Sequence, residues 1–360
     1  MSKVIVITDQ HFGCRNDSQL FLDYYEKFYK DIFFPYIDEH KIDVIFNLGD
    51  LLDRRKYISF VTLKRMKEIF LDPMKDRNIH MYHILGNHDI TYKNTNTVNA
   101  GDQLLYGYDN IEVYSTPTQI LFEDTKVLLV PWIPSDHEEE YVELINQSDA
   151  KYVFGHLELN NFEVLRGVKM DHGMDPKIFS KFDAVLTGHF HHKQHSKNIY
   201  YLGCPYEITF SDLGDSKGFH VFDFDTGELE FVLNPYNMFH KILYDDKKKK
   251  YDDVVGNFNA KKYENSYVKV VVVNKSNPYF FEKFLDKLYA SNPADVKVVD
   301  DFNVTSDDSD NLQDSDIISM SEDTVTVLNS YIDALDLDVN VDELKNIMRE
   351  IYVEAQSVEF

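Results

Sequence analysis

The chain is organised around the stretch Ile79-His80-Met81-Tyr82-His83-Ile84-Leu85-Gly86-Asn87-His88-Asp89. Residues 79–85 form a short β-rich run typical of a buried strand, and Gly86 marks the point where that strand gives way to a loop. In open α/β sheets, ligands bind beyond the carboxyl ends of the strands, and a glycine there lets the backbone turn beside a bound group. Taken alone, an Asn-His-Asp run after glycine is more often an ordinary polar turn. It becomes informative because other strand ends carry the same residue types.

Four further apolar runs end in the same kinds of side chain. The segments that follow them are, in chain order, Thr8-Asp9-Gln10-His11, Gly49-Asp50-Leu51-Leu52-Asp53, Gly155-His156 and Gly188-His189-Phe190-His191. Between the first two, Leu20, Tyr24, Phe28 and Ile32 recur every four positions, which predicts an amphipathic helix returning over the sheet. The alternation of strands with a helix predicts βαβ units and an α/β fold.

The pooled side chains at these strand ends predict a site for two metal ions. Carboxylate, amide oxygen and imidazole suit Mn²⁺ and related borderline cations, and thiolate is absent from the set. His189 and His191 are two residues apart, so in an extended segment they face the same side and can serve two neighbouring metals. Each position also has an ordinary explanation by itself, as a turn residue (Asp9, Asp50, Asp53), a satisfied core histidine (His156) or a solvated loop (His189, His191). Their occurrence together, in this order, favours the metal site.

Composition places the chain among globular proteins. With 43% hydrophobic residues in 360, we expect a large core and more than one domain. The apolar run after Met1-Ser2-Lys3 is too short for a signal peptide and no segment has membrane-spanning length, so we expect a cytoplasmic protein. Cys14 and Cys204 cannot form a disulfide framework and lack zinc-site spacing, which fits a reducing compartment. The formal charge of −25 argues against a generally basic nucleic-acid binder, so a phosphate-rich substrate must be held by metals or local basic loops.

The five segments resemble the motif series of the calcineurin-like metallophosphoesterases, D-x-H, G-D-x-x-D, G-N-H-[DE], G-H and G-H-x-H. The resemblance covers roughly residues 1–225. Within the family the chain is closer to the SbcD-type DNA repair nucleases, including those of T-even-like bacteriophages, for which the cytoplasm is that of the host cell. The stretches that carry this closer likeness are residues 49–53 and 86–94, Val130-Pro131-Trp132, residues 155–160 and Leu202-Gly203-Cys204-Pro205.

The resemblance implies a four-layer β-sandwich flanked by helices, with a centre of two divalent cations, Mn²⁺ ahead of Mg²⁺. One cation is implied to lie on Asp9, His11, Asp50 and His191, and the other on Asp50, Asn87, His156 and His189. His88 is implied to face the scissile phosphate, with Asp53 orienting it. Two cations about 3.5–4 Å apart lower the pKa of a bridging water and stabilise charge in an in-line displacement. The implied reaction is the hydrolysis of a phosphodiester.

The segment after Asp50 departs from the subgroup pattern. Many SbcD-type nucleases have His at the position of Asp53, and the wider family often has Arg then Gly after that Asp, whereas this chain has Arg54-Arg55-Lys56. The carboxylate supports a dyad with His88. The basic residues either bind backbone phosphate or form a solvated approach to the next helix. The DNA-binding candidates are Arg54, Arg55, Lys56, Tyr92, Lys93 and Asn94.

The remaining chain predicts three further parts after a phosphoesterase domain at residues 1–234. A hairpin around Asp225-Thr226-Gly227 is expected to close the second sheet of the sandwich. Residues 235–300 read as a small α+β module, which the resemblance implies caps the site and selects DNA; its Lys247-Lys248-Lys249-Lys250 run contacts DNA or is a solvated loop. Residues 301–323 are acidic and read as a flexible linker.

Residues 324–360 show two amphipathic stripes that predict a helix-loop-helix. In SbcD-type nucleases such a pair binds the coiled-coil base of an SbcC-type, SMC-like ATPase, and the alternative is that the stripes fold back onto this chain's own capping domain. The partner-binding candidates are Leu328, Tyr331, Ile332, Leu335, Leu344, Ile347, Met348 and Ile351.

These observations predict a Mn²⁺-dependent DNA exonuclease or endonuclease subunit of an SbcCD-like recombination and repair complex, as a homodimer within a heterotetramer. The alternatives are a phosphodiesterase or phosphatase acting on small nucleotides, which shares every metal ligand, and a binding scaffold without catalysis. A tethered docking pair favours the nuclease, and an intact His88 argues against the scaffold.

Overall fold

The structure is a computed structural model, and it describes residues 2–300 together with residues 332, 344–345 and 347–348. The chain divides into two compact units, Met1–Met238 and Phe239–Phe360. Each unit has its own hydrophobic core.

The described residues contain nineteen strands, the first sixteen in the first unit and the last three in the second. In chain order they are β1 (Lys3–Ile7), β2 (Val44–Asn47), β3 (His80–Ile84), β4 (Ile90–Tyr92), β5 (Thr95–Asn99), β6 (Ile111–Tyr114), β7 (Thr118–Phe122), β8 (Thr125–Val130), β9 (Tyr152–His156), β10 (Glu163–Leu165), β11 (Val168–Lys169), β12 (Ala184–Gly188), β13 (Gln194–Ser196), β14 (Ile199–Tyr201), β15 (Gly218–Asp223), β16 (Leu229–Leu233), β17 (Phe239–Asp245), β18 (Tyr267–Asn274) and β19 (Asp295–Asp300).

The helices are mostly short and several are joined end to end. They are α1 (Cys14–Asp17), α2 (Gln19–Phe28), α3 (Phe34–His40), α4 (Phe60–Met66), α5 (Asp72–Asp76), α6 (Ala100–Leu104), α7 (Glu138–Gln147) and α8 (Pro278–Tyr289). Wide π turns at Tyr29–Phe33 and Lys67–Leu71 connect α2 to α3 and α4 to α5, and a third lies at Asp252–Gly256. Single 3₁₀ turns lie at Ser135–His137, Pro176–Phe179, Phe210–Asp212 and Ala260–Tyr263.

Two six-stranded sheets form the sandwich of the first unit. The first has the order β16-β15-β1-β2-β3-β6 and the second β13-β14-β12-β9-β8-β7. Strands β1, β2, β3 and β6 are parallel, as are β8, β9, β12 and β14. Alternate residues of one strand face opposite sides, and Val4 and Val6 of β1 pack between the sheets with Phe46, Phe154 and others. Parallel strands bring their carboxyl ends to one edge of each sheet, which is where the motif residues follow.

Helices cover the outer faces and complete four layers, which confirms the predicted fold class. On the first sheet, the α2 and α4–α5 region contributes a buried aromatic cluster in which Tyr25 stacks on Tyr206 with ring centroids 3.7 Å apart. The predicted helix there is confirmed, with Phe21, Leu22, Tyr24, Tyr25 and Phe28 as its buried residues. On the second sheet, Ile145 of α7 and Phe179 pack against Val153 and Val185.

The hairpin of β15 and β16 lies in a different sheet from the one predicted. It pairs with β1 in antiparallel register, with Val4 opposite Phe222, and so extends the first sheet instead of closing the second. The alternating pattern identified a hairpin, but both sheets have edges that accept an antiparallel strand. Tertiary packing makes the choice, since Phe222 and Phe224 join the core between the sheets.

The second unit contains one sheet of order β17-β18-β19, in which both pairs are parallel. Its strands and α8 occur where the sequence predicts them, but an all-parallel sheet has α/β rather than α+β character. The difference follows from the connections at 246–266 and 275–294, since a parallel pair needs a crossover of about a dozen residues or more. Val270, Phe284 and Leu288 form the centre of this core.

Within the described residues, every helix is too short or too polar to cross a membrane.

Candidate metal centre

The site is built where strands of the two sheets end. Asp9 follows β1, Asp50 follows β2, Asn87 follows β3, His156 ends β9 and His189 follows β12. The first two loops are joined by backbone bonds, since the Asp9 N–H donates to the Gly49 carbonyl and the His11 N–H donates to the Asp50 carbonyl, each at 3.0 Å. Five segments far apart in sequence therefore meet at one place, as the sequence predicted.

The backbone of these loops is strained at the functional residues. Asp9, His11, Asp50 and His189 have φ values of 52°, 46°, 52° and 94°, which lie in the left-handed region that non-glycine residues seldom adopt. Such residues cost of order 1–3 kcal/mol each and cluster at functional sites. The φ of His189 also shows that the segment after β12 is not extended, so the predicted reason for its two imidazoles facing one side is wrong.

Two glycines let the loops after β2 and β3 approach each other. A Cβ at Gly49 would lie 2.6 Å from the Gly86 backbone nitrogen, and one at Gly86 would collide with the Asp50 backbone. Gly49 also has a φ of 94°, which favours glycine. The glycines before Asp50 and Asn87 thus serve close packing as well as turning.

The first group of donor atoms comes from Asp9, His11 and His191, whose ligand atoms all lie within 4.8 Å of one another. The Nε2 atoms of His11 and His191 are 3.0 Å apart. Both are 3.9 Å from the same Asp9 oxygen, and His11 Nε2 is 3.7 Å from Asp50 Oδ2. Two imidazole nitrogens facing each other among carboxylates form a pocket for a positive charge.

The second group of donor atoms contains Asp50, Asn87, His156 and His189. His156 Nε2 lies 3.0 Å from Asn87 Oδ1 and 3.4 Å from Asp50 Oδ2, and His189 Nδ1 lies 2.9 Å from Asn87 Oδ1. The same Asp50 oxygen therefore faces both groups. His189 and His191 therefore lie in different groups of donor atoms.

Neighbouring acceptors fix which imidazole nitrogen is available. The Leu48 carbonyl accepts from His156 Nδ1 at 2.7 Å, so the lone pair is at Nε2 and faces the donor group. Glu158 accepts from His189 Nε2 at 3.3 Å, which leaves Nδ1 free toward Asn87. Such partners behind metal-ligating histidines set the tautomer and hold the ring.

The carboxylates of the centre favour positive charge on two of its buried histidines. Burial opposes protonation of His156, but Asp50 outweighs it and raises the pKa to about 9. Burial likewise opposes protonation of His11, but Asp53, Asp50 and Asp9 raise its pKa to about 9. Burial, reinforced by the nearby His11, lowers the pKa of His191 to about 4. Oxygen and imidazole donors around buried carboxylates are the set that binds divalent cations of the Mn²⁺ type, so these residues fit the implied metal.

Comparison with known proteins matches the family described as calcineurin-like phosphoesterase over residues 2–193. The chain belongs to the calcineurin-like phosphoesterase family. Exonuclease subunit 1 of Enterobacteria phage T4 is 31% identical over 354 residues, covering 98% of this chain and 99% of the phage protein. The SbcD subunit of the nuclease SbcCD of Staphylococcus epidermidis (strain ATCC 12228 / FDA PCI 1200) is 24% identical over 308 residues, covering 76% of this chain and 80% of its own. This phosphoesterase is therefore a metal-dependent phosphodiesterase of the kind found in nucleases.

Among solved structures, an archaeal phosphodiesterase aligns with 64% of this chain and 99% of its own, at 12% identity and a TM-score of 0.33. That score is too low to add to the assignment of the phosphoesterase fold.

His88 lies at the edge of both groups, but its partner differs from the expected one. Its Nδ1 contacts the backbone carbonyl of Asp53, whereas the Asp53 carboxylate lies 3.5 Å from His11 Nδ1. The predicted carboxylate–His88 dyad is therefore absent, because the Asp53 side chain turns back to the more strongly charged His11. Burial opposes ionisation of the Asp53 carboxyl, but His11 outweighs it and lowers the pKa of Asp53. The His88 ring lies 4.9 Å from the His11 ring, and burial lowers the pKa of His88.

Asp89 is a positioning residue that the sequence did not assign. Its carboxylate is buried and accepts from the backbone N–H groups of Asp50 at 2.8 Å, Leu51 at 3.1 Å and Gly86 at 2.9 Å. It thereby joins the loops that deliver Asp50 and Asn87. Burial, then the Asp50 charge, raises its pKa to about 7. The motif G-N-H-[DE] contained the signal, since both oxygens of an acidic side chain accept, whereas an amide offers only one acceptor oxygen.

A buried ion pair supports the loop of His191 and was also missed. Lys217 Nζ donates to Asp212 Oδ1 at 2.6 Å, to the His191 carbonyl at 2.9 Å and to Cys204 Sγ at 3.2 Å. Burial opposes the charged amine, but these partners raise the pKa of Lys217. A lone lysine before a strand has no periodicity or motif to mark it, so the only nearby signal was Leu202-Gly203-Cys204-Pro205.

The predicted DNA-binding residues occupy two segments that border His88. Arg54 pairs with Asp17 at 2.8 Å and with Asn16, and Asn94 donates to Asp136 at 2.7 Å. Lys56, Tyr92 and Lys93 are exposed and Arg55 is half-buried. The segments adjoin each other, since Thr91 Oγ1 donates to the Arg55 carbonyl at 3.5 Å.

Four of the predicted partner-binding residues can be described. They lie in helical conformation, with Ile332 buried, Leu344 and Met348 half-buried and Ile347 exposed. The other four (Leu328, Tyr331, Leu335 and Ile351) and the acidic segment 301–323 lie outside the described residues.

Proposed function

We propose that this phosphoesterase is a Mn²⁺-dependent DNA nuclease subunit of an SbcCD-like recombination and repair complex. The observation that carries the proposal is the likeness, over 98% of the chain, to a phage protein named as an exonuclease subunit. A second relative is named as a subunit of the nuclease SbcCD. The geometry supports the same reaction, since two donor groups share one oxygen of Asp50.

In this proposal the first cation lies on Asp9, His11, Asp50 and His191, and the second on Asp50, Asn87, His156 and His189. When bound, such a pair supplies an activated water and holds a non-bridging phosphate oxygen. The chain's own contribution is to hold the ligands. Leu48 and Glu158 fix the tautomers of His156 and His189, and Asp89 fixes the loops of Asp50 and Asn87.

His88 is the proposed proton-transfer group. Because its Nδ1 donates to the Asp53 carbonyl, Nε2 is the ring nitrogen left to exchange a proton with substrate. The ring is placed beside Asp50, whose Oδ1 accepts from the backbone N–H of His88 at 2.7 Å. A substrate phosphate beside the ring favours its imidazolium form, whose Nε2 proton passes to the leaving sugar oxygen and leaves a neutral ring with Nδ1–H still on the Asp53 carbonyl. Asp53 contributes by its carbonyl and by its charge near His11.

The remaining parts are assigned by the same proposal. Residues 235–300 cap the site and select DNA, 301–323 are a flexible linker, and 324–360 dock an SbcC-type ATPase within a heterotetramer that contains two copies of this chain. Lys56, Tyr92 and Lys93, which are exposed beside His88, contact the DNA backbone. The site of action is the cytoplasm, which is that of the host for a phage-encoded chain. The subunit names of both relatives support assembly with a partner.

The test is hydrolysis by the purified chain of single- and double-stranded DNA, in Mn²⁺ or Mg²⁺, compared with bis-nitrophenyl phosphate. We expect DNA cleavage that requires the metal and is faster with Mn²⁺. His88→Gln removes the proton-transfer group and should abolish cleavage, while the exposed Lys177→Gln serves as a matched surface control. Hydrolysis of bis-nitrophenyl phosphate without DNA cleavage would favour the phosphodiesterase alternative, and metal binding without any hydrolysis would favour the scaffold.

A further inference from the structure

A cavity of about 280 Å³ adjoins the metal centre on the side of the second sheet. Ile133, Leu157, Leu159 and Met174 give it apolar walls, Trp132 adds an aromatic one, and Glu138 and Glu158 add carboxylates. His156 also lines it, so the cavity and the second donor group share a residue. The mechanism uses none of the apolar lining.

The walls of this cavity are preformed. The Met174 N–H donates to the Glu158 carbonyl at 3.0 Å, and the Asn160 N–H donates to the Met174 carbonyl at 3.1 Å. Tyr201 Oη donates to the Leu157 carbonyl at 2.9 Å and accepts from the Leu159 N–H at 3.1 Å. A cavity held by backbone pairing does not need to be ordered when a ligand binds, which favours affinity.

Trp132 connects the cavity to the catalytic groups. Its ring centroid lies 5.0 Å from that of His189 and 6.2 Å from that of His156. Its backbone N–H donates to the Leu85 carbonyl at 2.7 Å, immediately before the Gly86 loop. If a molecule binds with its phosphate on the donor groups, the chemical group attached to that phosphate would therefore lie along the indole of Trp132.

We propose that this cavity holds the nucleoside next to the scissile phosphate, with its base stacked on Trp132. The inference rests on the proposed function, because it takes the substrate to be a nucleic acid. Bases of every type stack on aromatic side chains, and the apolar walls suit a base face. The carboxylates of Glu138 and Glu158 disfavour a phosphate but accept hydrogen bonds from the amino, imino or hydroxyl groups of a neutral nucleoside. The cavity thus selects an unpaired nucleoside.

The first test uses binding alone, without turnover. Trp132 is the only tryptophan of the chain, so its fluorescence reports on this cavity specifically. The probes are thymidine 5′-phosphate, thymidine 3′-phosphate and deoxyribose 5-phosphate, each added to the full chain in Mg²⁺. We expect at least one thymidine phosphate to change the emission in a saturable way and the base-free sugar phosphate to have no such effect.

Met174→Glu should weaken the binding of the thymidine phosphate, measured from that saturable change, by about ten-fold, since it places a further carboxylate in the wall of the cavity. Leu121→Glu, at a side chain 68% exposed, is the matched control and should leave it unchanged. An equal response to deoxyribose 5-phosphate, or no response to either thymidine phosphate, would overturn the proposal.

The second test uses single-stranded oligonucleotides that are intact or have a stable abasic residue on one or the other side of the terminal phosphodiester. We expect the wild-type chain to cut one abasic substrate about ten-fold more slowly than the intact strand, the order of effect expected for one stacked base. In Trp132→Leu that difference in rate should disappear. If Trp132 only supported His189, the substitution would instead slow the cleavage of all three substrates equally. Equal rates on all three substrates with the wild type would contradict the pocket. Failure to cut any of the three substrates would refute the proposed nuclease function instead. The fluorescence titration would still show whether the cavity binds a nucleoside.

Discussion

Replacing Lys217 by methionine is expected to lower the free energy of unfolding of the first unit by about 3–5 kcal/mol, the usual cost of removing one partner from a buried ion pair. The Lys217 side chain is 3% exposed and bonds to Asp212, the His191 carbonyl and Cys204. Methionine preserves the volume but none of these bonds. Asp212 Oδ2 keeps its bonds from the N–H groups of Ile208 and Thr209, so the bond that Asp212 loses is the one from Lys217 to Oδ1.

The pKa of Asp212 gives a second measure of the same interaction. Burial would raise it, but the Lys217 charge outweighs burial and holds the pKa at about 2, against an ordinary 3.8. At about 1.4 kcal/mol per pKa unit, this corresponds to about 2 kcal/mol of stability at neutral pH. Because the folded-state pKa is depressed, that stability is complete above about pH 4 and is lost as the pH falls toward 2. In Lys217→Met, burial still opposes ionisation of Asp212, and the backbone N–H groups and His191 remain to favour it without the lysine charge, so the Asp212 pKa rises and the variant recovers stability relative to wild type as the pH falls.

The assay is urea unfolding of the metal-free chain at pH 7 and pH 4. Unfolding is monitored by the fluorescence of Trp132, which lies in the first unit. We expect the free energies of unfolding of wild type and Lys217→Met to differ by about 3–5 kcal/mol at pH 7 and by less at pH 4. Lys177→Met, whose side chain is 88% exposed, is the matched control and should stay within about 0.5 kcal/mol of wild type. A difference in the free energy of unfolding below about 1 kcal/mol at pH 7, or a difference that does not decrease as the pH falls, would refute the stabilising role of this ion pair.

Three further predictions concern catalysis, the metals and the tail. His88→Ala should abolish cleavage while elemental analysis finds nearly full metal occupancy, because its assigned role is proton transfer; loss of both metals would contradict that role. Asp50→Ala should reduce metal content more than Asp9→Ala, since only Asp50 faces both donor groups, and equal losses would count against sharing. Truncation after Asp323 should leave a metal-loaded enzyme with basal nuclease activity that no longer associates with an SbcC-type ATPase; a large fall in melting temperature would show instead that the tail belongs to the core of this chain.

The strand-end motifs could be predicted because each is short, local and tied to a sheet edge. A buried run such as Val4-Ile5-Val6-Ile7 identifies its strand, and parallel strands must bring their ends together. Asp9, Asp50 and Asn87 can therefore be placed near one another without any knowledge of side-chain conformation. The alternation of strands and helices likewise predicts the βαβ units, whereas the four layers were implied by the resemblance to the metallophosphoesterases.

The parts that were missed depend on competition between distant groups. The Asp53 carboxylate could pair with His88 or His11, and only the buried geometry decides for His11. The β15–β16 hairpin could join either sheet, and Phe222 and Phe224 decide by entering the core. Lys217 and Asp212 are five residues apart in a loop with no periodic pattern, so their burial behind His191 cannot be inferred from sequence.

The central claim is that the facing strand ends form a divalent-metal centre that hydrolyses DNA phosphodiesters. The most direct measurement is a calorimetric titration of Mn²⁺ into the chelator-treated chain, with cleavage of an end-labelled DNA strand followed at each step of the titration. We expect no cleavage before metal is added, cleavage that rises as two ions bind per chain, and neither full metal binding nor cleavage in Asp50→Asn. DNA cleavage by the chelated protein, or two bound ions per chain with no cleavage of DNA, would contradict it.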